Sequence, residues 1–156
     1  MNRLDIIATI RGVPDLISDI CAGLTDEQMR RRTQDGEWSL LELACHLRDS
    51  AIEEGLRARR MVEEDNPVLD PYDQEMRAAA WEYQGDDPKK VMTSLRAYWT
   101  GYAYQLDRFS ETEWDRPGVH PETGPVTVGG RAELEVEHVQ THVAQMQSAR
   151  AALASA

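Results

Sequence analysis

Apolar residues return mostly every three or four positions in three long stretches of this chain, and no other local feature restricts its fold so strongly. Ile7, Ile10, Val13, Ile17, Ile20 and Leu24 make the first stripe, and Leu40, Leu43, Leu47, Ala51 and Leu56 the second. Val91, Leu95, Trp99, Tyr102, Leu106 and Phe109 make the third. This is the helical period, so each stretch is predicted to form a helix with one buried face. Start signals agree with the stripes. Thr25 with Gln28, Ser39 with Glu42 and Ser110 with Glu113 each have the capping-box pattern, in which a hydroxyl and an acid or amide three residues on satisfy each other's backbone N–H. Asp87 followed by Pro88 reads as an N-cap with proline in the first turn.

These signals place a first helix over Arg3 to Gly23, kinked or broken at Pro14, and a second over Leu40 to Glu64. Gln34 to Gly36 is a turn, and Trp38 packs back on the second helix like a staple. Asn66 to Tyr72, with two prolines, is a connection. A short helix over Tyr72 to Trp81 follows, then the third long helix from Asp87 to about Phe109 and one turn ending near Trp114. Asp115 to Gly130 holds three prolines and four glycines, so an irregular loop with a short hairpin is expected. The last long helix runs from Gly129 to Ala154. The predicted fold is all-α, a four-helix bundle with an irregular loop before its last helix, in one domain over residues 1–156.

Charge narrows the function classes. A net charge of −11 repels phosphate backbones and argues against nucleic acid as a partner. No apolar run has the length of a membrane span, and the first residues lack a signal-peptide pattern, so a cytoplasmic location is the default expectation. Cys21 and Cys45 lie among apolar helical residues and read as buried free thiols rather than as a disulfide framework. Cys45 neighbours His46, but one residue along a helix is about 100° away, which turns it off a shared site.

The chain has four histidines, and three of them form a pattern. His138 and His142 are four apart, close to one helical turn, so both imidazoles point the same way. His46 lies about two turns into the second long helix, and His138 two to three turns into the last. If the starts of these helices share one end of the bundle, the three imidazoles meet in its core, where bundles build metal sites. Three neutral imidazoles suit zinc, nickel, cobalt or iron and leave open positions, the pattern of a reactive site. Val139 follows His138, so the helical general base of an HExxH protease is missing. Helical spacing from His46 reaches Asp49, Ser50, Glu53 and Glu54, and from His142 it reaches Gln145. Asp49 or Glu54 can orient a ligand or act as a base, and Asp49 is the candidate catalytic residue. Glu53 and Glu54 read first as solvated surface charges. His120 in the proline-rich loop either covers the site or is a surface residue. Trp99 and Tyr102 either wall a pocket or belong to the core.

Four pieces of the chain, in order, resemble the DinB/YfiT superfamily of metal-binding four-helix bundles. They are GEWSLLELACHLRDS from Gly36 to Ser50, EEDNPVLDPYDQ from Glu63 to Gln74, HPETGPVTV from His120 to Val128, and the closing EHVQTHVAQM. The resemblance implies that the second and last long helices carry the metal ligands, here His46, His138 and His142, with zinc or nickel foremost. Relatives include transferases that join bacillithiol or mycothiol to electrophiles, thiol-dependent isomerases, and proteins known simply as metal-dependent hydrolases. Members are often dimers, so a homodimer is implied. The chain departs from the YfiT-like pattern at Ala51 and Ile52, where a second histidine often stands. It departs again at Met76 and Arg77, where tryptophan is common.

The expected function is metal-dependent transfer of a low-molecular-weight thiol, as cosubstrate, to a small electrophilic molecule. His46, His138 and His142 hold the divalent ion, and Asp49 orients a group or relays a proton. One alternative is a hydrolase using metal-bound water, whose pKa can fall to about 7. Another is a non-catalytic metal-binding interaction bundle.

Overall fold

A computed structural model describes residues 1–155; Ala156, the last residue of the expected domain, lies outside the described residues. In chain order the elements are α1 (Arg3–Cys21), α2 (Asp26–Arg30), α3 (Leu40–Glu63) and α4 (Gln74–Ala80), then a 3₁₀ turn (Tyr83–Gly85). There follow α5 (Pro88–Arg108), α6 (Glu111–Trp114), the strands β1 (Pro117–His120) and β2 (Gly124–Thr127), and α7 (Val128–Ala154). Each of the three capping boxes read from the sequence forms in both directions, at the starts of α2, α3 and α6. Asp87 caps α5, accepting from the backbone N–H groups of Lys89 and Lys90, with Pro88 in the first turn. α1 runs through Pro14 as one helix rather than two.

The long helices α1, α3, α5 and α7 form the bundle. α3 packs against α5 and α7, and α1 packs against the same two. The order around the bundle is therefore α1, α5, α3, α7. α1 and α3 stand diagonally, although they are consecutive long helices, and so do α5 and α7. A diagonal step needs a long connection. One carries α2, and the other carries α6 and the β1–β2 hairpin.

Buried side chains from all four helices fill the centre, among them Ile10, Ile17, Leu43, Leu47, Leu95, Trp99, Leu106 and Met146. Trp99 and Tyr102 belong to this core, and the Trp99 indole N–H donates to the Leu47 carbonyl at 3.0 Å, fastening α5 to α3. Leu56 is 53% exposed, against expectation. The step of five from Ala51 to Leu56 rotates it off the stripe, and Glu54, Ala58 and Met61 take the buried face instead.

The irregular segment before α7 holds the expected hairpin, antiparallel with Pro117 opposite Thr127 and His120 opposite Gly124. Its first strand rests on the α3–α4 connection: the Leu69 N–H donates to Val119 O at 2.8 Å, and the Val119 N–H donates to Pro67 O at 2.9 Å. At the start of α7, a Cβ on Gly129 would lie 2.1 Å from Trp114 Nε1, so only glycine lets the α6 tryptophan pack there. Among the described residues no helix is long and apolar enough to cross a membrane.

Candidate metal centre

α3 and α7 meet along a polar seam. From α3 the seam takes His46, Ser50, Glu54 and Arg57, spaced by helical turns; from α7 it takes His142, His138, Glu135 and Arg131. His46 meets His138, Ser50 meets Glu135, and Glu54 meets Arg131. Rising numbers on α3 meet falling numbers on α7, so the two helices are antiparallel. Their starts lie at opposite ends, contrary to the condition set from the sequence. The imidazoles still converge, because the beginning of α3 faces the middle of α7.

One ring nitrogen from each of His46, His138 and His142 falls within 4.8 Å of the others. The Nε2 atoms of His46 and His142 each lie 3.0 Å from His138 Nε2. Three nitrogens bound tetrahedrally at about 2.0–2.1 Å would stand about 3.3 Å apart, close to this spacing. His46 is buried, and the edge of Trp38 lies against it, with ring centroids 5.2 Å apart.

The outer nitrogens decide what the inner ones present. His138 Nδ1 lies 3.3 Å from Glu135, whose carboxylate also accepts the Ser50 hydroxyl at 2.6 Å. His142 Nδ1 lies 2.7 Å from the Gln145 amide oxygen. Both partners are acceptors, so in the neutral rings the hydrogen sits on Nδ1 and the Nε2 lone pair points inward. Two lone pairs at 3.0 Å repel unless a cation joins them. His46 adds a third Nε2, and its Nδ1 is buried without a hydrogen-bond partner among the described residues. This donor set fits a divalent ion of borderline softness.

Electrostatics prepare two of the three rings. Burial, then the neighbouring His142 and His138 and the charge of Arg77, pushes the His46 pKa down to about 3. Burial, then His138, lowers His142. Burial also works against charge on His138, but the hydrogen bond and charge of Glu135 outweigh it, and the His138 pKa is raised. Both shifts favour the unprotonated, metal-binding form of His46 and His142, while Glu135 draws His138 toward its protonated form, against which an ion competes.

The other residues singled out in the sequence have separate places. The Asp49 carboxylate accepts from the Tyr83 hydroxyl at 2.6 Å and from Arg48 Nε at 2.7 Å, and among the described residues it makes no hydrogen bond to an imidazole. Tyr83 is in edge contact with Trp38, with centroids 6.5 Å apart, so Asp49 braces the wall that holds His46. Glu54 is buried, not solvated, because two guanidiniums compensate it: Arg57 at 2.6 Å, and Arg131 through both Nε and Nη2. Glu53 is partly buried and paired with Arg77 at 2.8 Å. His120 is not a surface residue. It is buried in β1 near Arg131 and Arg57, and burial followed by those two charges lowers its pKa. Cys45 is a buried free thiol with Sγ 3.9 Å from Asp86, and Cys21 is free and half-buried. Sequence reasoning missed Glu135. Its signal was its place one turn before His138 in LEVEH.

A family model described as the DinB superfamily matches residues 9–146. A relative from Oceanobacillus iheyensis is 28% identical over 91% of this chain and 82% of its own length. One from Geobacillus kaustophilus is 29% identical over 92% of this chain and 82% of its own length. Both carry the name "Putative metal-dependent hydrolase". Among solved structures, YfiT from Bacillus subtilis superposes with a TM-score of 0.86 at 22% identity, covering 94% of this chain and 85% of that one. It is described as having an unusual four-helix bundle topology. A mycothiol-dependent maleylpyruvate isomerase superposes with a TM-score of 0.76 at 13% identity, covering 94% of this chain and 61% of that one.

Proposed function

The chain belongs to the DinB superfamily, and we propose that it is a divalent-metal-dependent enzyme that transfers a low-molecular-weight thiol to a small electrophile. The observation that carries the metal centre is the convergence of three Nε2 atoms whose outer nitrogens face acceptors or have no partner. His46, His138 and His142 would hold the ion, with Glu135 and Gln145 orienting two of them. A divalent ion there supplies Lewis acidity, which makes the deprotonated form of a bound thiol or water available near neutral pH.

The choice of nucleophile rests on the carboxylates. Glu135 is engaged by Ser50 and His138, Asp49 by Tyr83 and Arg48, and Glu54 by Arg57 and Arg131. A water nucleophile gains from a free general base beside it, and each of these acids is occupied. A thiol, far more acidic than water, needs no such base. In the transfer a sulfur–carbon bond forms, the thiol proton passes to solvent, and the electrophile's leaving group departs with its electron pair. The relatives' shared name supports a second reading, metal-dependent hydrolysis.

Elemental analysis of protein purified without a histidine tag, beside His142→Ala, tests the centre. About one equivalent of a transition metal is expected, lost in the variant. Turnover of an electrophile panel with and without added thiol separates the two reactions. Thiol-dependent conjugation supports transfer, thiol-independent product release supports hydrolysis, and metal-loaded protein inert toward the panel overturns both.

A further inference from the structure

Beside the histidine cluster, α4 contributes a cation that the metal chemistry does not use. The Arg77 guanidinium carbon lies over the Tyr72 ring, 3.8 Å from its centroid. One of its nitrogens pairs with Glu53 at 2.8 Å, each side chain about a quarter exposed. Among the described residues the rest of the guanidinium fork has no protein acceptor. The Tyr72 hydroxyl likewise has no hydrogen-bond partner there, and a second guanidinium, Arg57, stands 6.0 Å from its ring. Burial holds the Tyr72 pKa up to about 12, so the hydroxyl remains a donor. Arg77 is tied to α3 through Glu53, which stands two turns after His46 on nearly the same helix face. Arg77 also lines a cavity of about 770 Å³ with Asp49, Glu53, Trp81 and Tyr98, which leaves open space on the Arg77 side of the pair; Tyr72 and the three histidines are not part of its wall.

We propose that Arg77 and Tyr72 form an anion-binding subsite that selects small molecules carrying a carboxylate for the adjacent histidine centre. The inference deepens the metal-centre reading and rests on it. A planar guanidinium fork with one phenolic hydroxyl matches the two oxygens of a carboxylate. A phosphate would bring a second charge toward Glu53 and Glu135, on a protein whose net charge is already −11.

The test uses cobalt(II)-loaded protein and two probes of nearly equal shape, 3-mercaptopropionate and its neutral amide. Binding is read from the sulfur-to-cobalt charge-transfer absorption. The carboxylate is expected to bind about tenfold more tightly than the amide. Arg77→Met should abolish that preference while leaving cobalt stoichiometry and amide affinity unchanged. Arg77→Lys, which keeps the charge without the fork, should give an intermediate ratio. Cobalt-loaded wild type without the preference, or Arg77→Met that retains it, overturns the inference and leaves the metal centre standing. A wild-type chain that takes up no cobalt overturns the metal centre and the inference together.

Discussion

The Nε2 atoms of His138 and His142 lie 3.0 Å apart, while the Nδ1 of each ring faces an acceptor on its own helix. About three turns of α7, from Glu135 to Gln145, therefore supply both ligands and both of their orienting groups. Glu135 precedes His138 by three residues, and Gln145 follows His142 by three. α3 adds His46 and the Ser50 hydroxyl that holds Glu135 in place.

Glu135 is expected to tune the centre without touching the ion. Glu135→Gln keeps the shape but exchanges a charged acceptor for a neutral one, and Glu135→Ala removes it. Metal affinity should fall by about 10–100-fold in the alanine variant and by less in the glutamine variant. Competition with a chromophoric chelator measures both. Equal affinity in all three proteins would remove Glu135 from the design of the centre.

The metal-free protein should lose stability in acid through His46. Its folded-state pKa of about 3 lies below the ordinary histidine value near 6.5, so the unfolded chain binds a proton that the folded one refuses. The contribution is present above about pH 6.5 and is lost as the pH falls toward 3. His142 acts in the same direction, whereas His138, with its raised pKa, favours the folded state in acid until the pH climbs through that value. At pH 5 the His46 penalty is about 2 kcal/mol. Urea unfolding of metal-free wild type and His46→Gln at pH 7 and pH 5 should show the stability difference moving toward the variant by about that amount.

Glu54 should matter for stability and not for metal. It is buried between Arg57 and Arg131, and Arg57 also donates to the Asp70 carbonyl at 2.6 Å. Glu54→Ala leaves two guanidiniums facing each other without an anion, a loss of about 3–5 kcal/mol by the usual cost of breaking a buried ion pair. Denaturant unfolding reads the loss, and unchanged metal stoichiometry in the folded variant separates it from an effect on the imidazoles.

The elements of this protein are written locally. Ser39 and Glu42 start α3 within one turn of each other, Asp87 and Pro88 start α5, and the stripe through Val91, Leu95 and Trp99 marks its buried face. The pairing of His138 with His142 is local in the same way, because helical geometry alone puts them on one face. The choice of His46 as their companion needed the pattern of the whole chain. What a neighbouring helix does lay beyond the sequence. Only tertiary structure decided that α3 runs antiparallel to α7, which brings Ser50 to Glu135 and buries Glu54 between two arginines. Only tertiary structure turned Asp49 toward Tyr83 and brought Arg77 onto Tyr72. The physical reason is range. Capping and periodicity act over one or two turns, so a sequence records them directly. A charge is buried or solvated according to side chains tens of residues away, and their approach is fixed by the packing of the whole bundle.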